Sequence, residues 1–207
     1  MNELHGFEQS LRTNQFVFDV ELSPEAFAGL STYYSLLLRW NPRLHLVAPC
    51  SAEEFATRHV LESLMLLKHL PSGATVADIG SGAGLPIIPC LIARPDLKAT
   101  LIESSPKKSV FLREALNSVS RQALIITRPF EEVESPDVSF VTCRALDQFM
   151  TKVSTLIHWS PPNSTLLFYG GETLRLKLQE AEADFEGLQL PLSDKRFIFR
   201  VRRDHTG

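Results

Sequence analysis

The run Ala74-Thr-Val-Ala-Asp-Ile-Gly-Ser-Gly-Ala-Gly-Leu-Pro-Ile-Ile-Pro89, followed by Lys98-Ala-Thr-Leu-Ile-Glu103, decides the fold. Thr75, Val76 and Ile79 give the β-branched character of a buried strand, and Gly80, Gly82 and Gly84 let the backbone turn tightly with no Cβ in the way. A helix is predicted from about Pro86 to before Pro95, with Lys98 to Glu103 as the next strand. Glu103 then falls 21 positions after Gly82, where a nucleotide-binding βαβ unit carries its ribose-binding acid. A glycine triplet also occurs in plain structural turns. Strand, turn, helix and acid together separate a binding site from that alternative.

The rest of the chain sets the bounds. Its 207 residues, 44% of them hydrophobic and 22% charged, suit one ordinary domain with an extension and argue against disorder. A net charge of −3 provides no global basic field, so any nucleic-acid surface must be local. No apolar run approaches the roughly 18 residues of a membrane helix, and no basic segment leads into an apolar core at the N-terminus, so a cytoplasmic, membrane-free protein is expected. Cys50, Cys90 and Cys143 have neither zinc nor disulfide spacing, so no metal is expected.

Residues 1 to 73 read as a helical extension, and 74 to 207 as the domain that carries the glycine turn. Ser23 and Pro24 open a helix with Phe27, Leu30, Tyr34, Leu37 and Leu38 on one face, predicted to end near Trp40 because Asn41 precedes Pro42. Ser51 and Glu54 form a capping box for a helix carrying Phe55, His59, Leu61, Leu64, Met65 and Leu67 up to Pro71. Beyond Glu103 a helix runs from Ser105-Pro106 to about Val119. Further strands are predicted at Ala123 to Thr127, Val138 to Cys143 and Ser164 to Tyr169, with helices at Leu146 to Ile157 and Glu172 to Phe185. Two short strands, Leu188 to Leu192 and Arg196 to Arg202, close the chain. The expected fold is α/β, a doubly wound, mainly parallel sheet with one antiparallel strand. Ligands would bind at the carboxyl ends of its strands, where Asp78, Glu103, Arg128 and Arg144 gather.

The spacing Gly-x-Gly-x-Gly two residues after Asp78 resembles the S-adenosylmethionine site of Rossmann-like class I methyltransferases. Asp78 to Pro89, Glu103-Ser104, Lys107-Lys108, Phe111-Leu112, Trp40-Asn41, Arg58-His59 with Ser63, and Cys143-Arg144-Ala145 together resemble the RsmG (GidB) family. Its members methylate N7 of a guanine in the 530 loop of bacterial 16S ribosomal RNA. The resemblance implies S-adenosylmethionine as cofactor, 16S rRNA or the small ribosomal subunit as partner, and a monomer. It implies a cofactor site of Asp78, Gly80, Ser81, Gly82, Gly84, Leu85, Glu103, Ser104, Phe130, Glu131 and Arg144, with Arg144 and His59 as catalytic candidates. Departures from the family pattern cluster on the substrate side: His45-Leu46-Val47, Phe168-Tyr169-Gly170, Ile87, Phe130, Glu62 and Cys143. They leave two alternatives open, a methyltransferase of another RNA site or small molecule, and a non-catalytic cofactor-binding module of the ribosome.

Guanine N7 has an in-plane lone pair and no proton, so methylation needs positioning and no general base. Arg144 can donate to the neighbouring O6, or serve as a strand-end salt bridge. His59 is a site residue or a satisfied helix histidine. Lys195, Arg196, Arg200, Arg202 and Arg203 place five cations within nine residues, a basic strand face suited to RNA or an ordinary solvated edge. Cys143 has no preceding proline of the kind found at nucleophilic cysteines. Ser160-Pro161-Pro162-Asn163 lies before its strand and reads as a connection.

Overall fold

The structure is a computed structural model that describes residues 3–144, 146 and 149–203. Seven strands form one sheet: β1 (Thr75–Ile79), β2 (Lys98–Ile102), β3 (Leu124–Ile126), β4 (Phe140–Cys143), β5 (Thr165–Gly170), β6 (Asp184–Gln189) and β7 (Phe197–Arg202). Their order is β3-β2-β1-β4-β5-β7-β6. β1 pairs in parallel with both β2 and β4, and β7 runs antiparallel to both β5 and β6. The chain thus reverses its direction of winding between β1 and β4, the crevice where open α/β sheets bind ligands.

Strand alternation divides the apolar residues between two cores. Val76, Leu101, Leu167, Tyr169 and Ile198 face one cluster, which continues through the N-terminal helices to Phe7 and Leu11. Ala77, Ile79, Cys143, Leu166 and Phe168 face the other.

On the first face lie α1 (Glu3–Asn14), α2 (Pro24–Leu44), a helical run over 52–68 designated α3, α4 (Ile87–Ala93) and α5 (Pro106–Ser118). Ser23 caps α2 by accepting from Ala26 N (3.1 Å), and Ser51 caps α3 by accepting from Glu54 N (3.1 Å). On the second face lie α6 (Phe149–Trp159) and α7 (Glu172–Glu180). Among the described residues no helix is long and apolar enough to cross a membrane.

Several boundaries differ from expectation. α2 does not stop at Trp40 but carries Pro42 inside it, ending where His45 turns left-handed (φ 48) and its N–H meets Asn41 O. One lost backbone bond is outweighed by the packing of Trp40 and Leu44 against the core. α3 is not a single α-helix: Phe55–Leu61 is π-helical, between an α turn at Ala52–Glu54 and another at Glu62–Leu64. α7 ends at Glu180 and not at Phe185, because Glu182 (φ 51) reverses the chain and Asp184 and Phe185 pair with Arg202 and Val201 of β7. Ala145 of the Cys143-Arg144-Ala145 motif, and Asp147 and Gln148 at the predicted start of the following helix, lie outside the described residues, and α6 is described from Phe149.

Candidate cofactor and substrate cleft

A cleft of about 270 Å³ opens at the carboxyl ends of β1, β2 and β4. Its floor is the glycine turn. Gly80, Gly82 and Gly84 all have positive φ (69, 51 and 82), and a Cβ on Gly84 would come within 2.4 Å of Ile88 Cδ1. L-residues are strained in that backbone region, which explains the glycines without invoking a ligand. The carboxylates beside the turn, Asp78 and Glu103, point to a ligand.

Asp78 is the penultimate residue of β1 and is 1% exposed, with neither carboxylate oxygen hydrogen-bonded. The Ser81 hydroxyl donates to the Asp78 main-chain oxygen at 3.0 Å. Burial pushes the Asp78 carboxyl up to about 8, the Ser81 side chain pulling the other way and Glu103 adding to the push. A buried carboxylate with no donor is costly unless a cationic or donor group completes it. Glu103 is placed differently. Its Oε2 accepts from Gly82 N and its Oε1 from Ser105 N, both at 2.8 Å, which fixes it against the turn while each oxygen keeps a lone pair free.

The N-terminal helices complete the cleft. Buried Tyr33 of α2 donates its hydroxyl to Ala83 O at 2.6 Å, propping the glycine turn from below. Leu46, Val47, Ala48 and His59 form the opposite wall. Arg144, at the end of β4, is held by α3: it donates to His59 O (3.4 Å), Ser63 Oγ (3.1 Å) and Arg58 O, and its Nη2 lies 3.3 Å from Glu62 Oε2. The guanidinium also sits 5.1 Å from the Tyr169 ring centroid. Thus Arg144 reaches the cleft and is also a partner in a buried ion pair. His59 Nδ1 is buried without a partner, and burial, with the Arg144, Arg58 and Arg196 charges, lowers its pKa to about 3. At neutral pH it is an uncharged imidazole.

The cleft therefore gathers Gly80, Ser81, Gly82, Leu85, Glu103, Ser104, Arg144 and His59, while Asp78 and Gly84 are buried and do not line it. Phe130 and Glu131 are not brought into it. Phe130 is 2% exposed and meets Trp159 edge-on at 5.6 Å, and Glu131 pairs with Lys152 at 2.6 Å, so both serve the second core and its rim. Arg128 also stays outside, beside Glu132 at 3.5 Å.

The basic end of the chain is largely neutralised within the molecule. Arg196 pairs with Glu62, Arg200 with Glu186 and Arg202 with Asp184, while Arg203 donates to the carbonyls of Ile157, His158 and Ser160. Cys143 is buried and its thiol is pushed far up by burial, which makes it an inert core residue. Tyr169 is 5% exposed and donates to Glu62 O (3.0 Å), so its ring is not open to a base. Sequence reading missed Tyr33, quoted Lys108 without assigning it to the cleft, and placed Tyr34 on the α2 face without its neighbour. Only the turn of α2 toward Ala83 tells the two tyrosines apart.

A larger cavity of about 610 Å³ lies beyond α3, between α1 and Pro191-Leu192. It contains neither the glycine turn nor the carboxylates Asp78 and Glu103. Among the described residues no group of three or more His, Cys, Asp or Glu side chains could hold a metal ion.

A family model described as rRNA small subunit methyltransferase G (GidB) matches residues 27–201. The chain is 36% identical over 191 residues to the Ribosomal RNA small subunit methyltransferase G of Xanthomonas campestris pv. campestris (strain B100), covering 88% of this chain and 90% of that protein. It is 33% identical over 168 residues to the protein of the same name from Gluconobacter oxydans (strain 621H), covering 79% and 84%. Among solved structures, a methyltransferase from Pyrococcus furiosus superposes with a TM-score of 0.60 at 9% identity, covering 84% of this chain and 98% of that one. M. jannaschii TYW2 in complex with AdoMet superposes with a TM-score of 0.54 at 13% identity, covering 70% and 74%. At those identities the superpositions speak for the fold.

Proposed function

The chain belongs to the rRNA small subunit methyltransferase G (GidB) family, and on that premise we propose that it transfers a methyl group from S-adenosyl-L-methionine to N7 of a guanine in the 530 loop of 16S rRNA. The observation that carries the cofactor half is the pair of carboxylates at the glycine turn: Asp78 buried without a donor, Glu103 fixed with lone pairs to spare. An ammonium at the methionine end suits the first and the two ribose hydroxyls suit the second. When bound, S-adenosylmethionine supplies a methyl group on a positively charged sulfur.

The chain's own residues then have three tasks. The turn Gly80 to Gly84 keeps main chain and not side chains against the cofactor, and Tyr33 holds that turn in place. Glu103 keys the cofactor's orientation. Arg144 and His59 face the acceptor: Arg144 presents a cation for guanine O6, and the uncharged His59 presents a hydrogen-bonding face that takes no proton. N7 carries no proton, so the absence of a titrating base suits the reaction. We place the substrate on the small ribosomal subunit or its 16S rRNA and read the enzyme as a monomer.

The test is methyl transfer from labelled S-adenosylmethionine to small subunits lacking the modification, with the product nucleoside and its position identified by mass spectrometry. Label in 7-methylguanosine within the 530 loop is expected. Label in another nucleoside, or none in the presence of bound cofactor, refutes the assignment.

A further inference from the structure

Glu62 lies on α3, one turn past His59, and is 1% exposed. Its Oε2 stands 3.3 Å from Arg144 Nη2, while its Oε1 accepts from Arg196 Nε at 2.8 Å and lies 2.7 Å from Arg196 Nη2. One buried carboxylate is thus shared by a guanidinium from the end of β4 and one from the residue before β7. Arg144's other partners, the Arg58 and His59 carbonyls, the Ser63 hydroxyl and the Tyr169 ring, carry no net charge. Among the described residues, only Glu62 balances its charge in this nest. The Arg144 side chain is 14% exposed and the Arg196 side chain 33%, so water serves Arg196 more readily than Arg144. Without the carboxylate the two cations repel, and the free direction for Arg144 is into the cleft where the acceptor must sit.

We propose that Glu62 is a positioning residue for methyl transfer: by bridging Arg144 and Arg196 it sets where the Arg144 guanidinium stands in the cleft, without itself touching cofactor or acceptor. The proposal rests on the reading of the cleft as a methyltransferase site. It assigns the α3 segment a part in catalysis through β4, because the π-helical turns present the Arg58 and His59 carbonyls on the same side as the Glu62 carboxylate.

The experiment compares the full-length parent with Glu62→Gln, Glu62→Asp and the double variant Glu62→Gln/Arg196→Met. Three readouts are taken: thermal melting, steady-state methyl transfer to unmodified small subunits, and the side-chain nitrogen NMR signal of Arg144 assigned with an Arg144→Lys control. For Glu62→Gln, kcat is expected to fall on the order of 30-fold while KM for S-adenosylmethionine changes less than about 3-fold, as a displaced positioning group predicts. The Arg144 signal should shift and exchange with solvent at least about 10-fold faster. Glu62→Asp keeps the charge with a shorter reach and should recover part of kcat. Removing the second cation in the double variant should raise kcat above that of Glu62→Gln, a non-additivity that a purely structural role does not produce.

A folded Glu62→Gln protein with an unchanged Arg144 signal, or with kcat within about 2-fold of the parent, overturns the proposal. Should that variant not fold, Glu62→Asp decides by the same signal: displacement supports the proposal and an unmoved signal overturns it. A parent that transfers no methyl to small subunits refutes the assigned function instead, and the Arg144 signal still decides the position.

Discussion

Asp78 offers the sharpest test of the cofactor site, because its buried, donor-free carboxylate makes the cofactor-free protein sensitive to pH in an unusual direction. The native carboxyl is pushed up to about 8, against about 3.9 in an unfolded chain. Between those values the native state holds a proton that the unfolded state has lost, so native stability falls as pH rises, by about 1.4 kcal/mol per pH unit for this one group. From pH 5 to pH 7 that amounts to roughly 3 kcal/mol, and above about pH 8 the loss is complete. Asp78→Asn removes the titration and keeps the shape. Urea unfolding of parent and variant across pH 5 to 9 should give a stability difference that moves steadily against the parent up to about pH 8 and then levels. Adding S-adenosylmethionine should reverse the effect in the parent. An ammonium against Asp78 favours the ionised form, so binding at pH 7 should release close to one proton, read by calorimetry in buffers of different ionisation enthalpy. A flat difference between pH 5 and 8, or binding without proton release, refutes the reasoning.

Glu103→Gln removes the charge and can keep only one of the hydrogen bonds from Gly82 N and Ser105 N, because an amide nitrogen cannot accept, and is expected to weaken S-adenosylmethionine binding by roughly 10- to 100-fold in calorimetry. Gly84→Ala puts a Cβ 2.4 Å from Ile88 Cδ1 at a φ of 82, and should lower stability by roughly 3 kcal/mol in urea unfolding. Tyr33→Phe leaves Ala83 O without its donor and should cost about 1–2 kcal/mol, with a weaker cofactor affinity as the turn loosens. His59 is held uncharged, its pKa lowered to about 3 by burial and neighbouring cations, while the unfolded histidine protonates near pH 6.5, so its contribution is intact above that pH and is lost as pH falls toward 3. His59→Gln should therefore blunt acid unfolding, and between pH 6 and 9 the parent's kcat should show no inflection from this residue.

Much of the sheet was legible because its strands are short apolar runs beside turn residues, and β1, β2 and β4 fall within two residues of where the pattern puts them. The cofactor turn was legible for the same reason: its glycines and its two acids lie within one continuous stretch, so spacing alone brings them together. What could not be read depends on contacts between distant segments. Pro42 marks a helix end by local rules, and only the core seat of Trp40 and Leu44 carries α2 past it. Glu180 to Phe185 keeps helical composition, yet pairing with β7 takes Asp184 and Phe185 into a strand. The basic spacing of Arg196, Arg200 and Arg202 suggested a free cationic face. Their partners Glu62, Glu186 and Asp184 come from other elements, and sequence spacing carries no trace of them. Tyr169 could have been placed, since strand alternation sets it on the same face as Leu167, toward the N-terminal helices and away from solvent.

The N-terminal helices are therefore part of the site's construction and not a lid on a finished one. Tyr33 of α2 fixes the glycine turn through Ala83 O, and the Cys90 thiol of α4 meets Ser63 O of α3 at 3.2 Å, so the helix that follows the turn is tied to the segment that holds Arg144. Arg144 in turn draws its hydrogen-bond partners from α3. The glycine turn after β1 and the Arg144 guanidinium after β4 are thus aligned through a third body as well as through the sheet between them. The β1 to β4 pairing sets their spacing along the strands, Ile79 opposite Cys143. The helices set how far each reaches into the cleft. For the proposed transfer to N7, which needs no acid or base, catalytic power would rest on how rigidly these contacts are held.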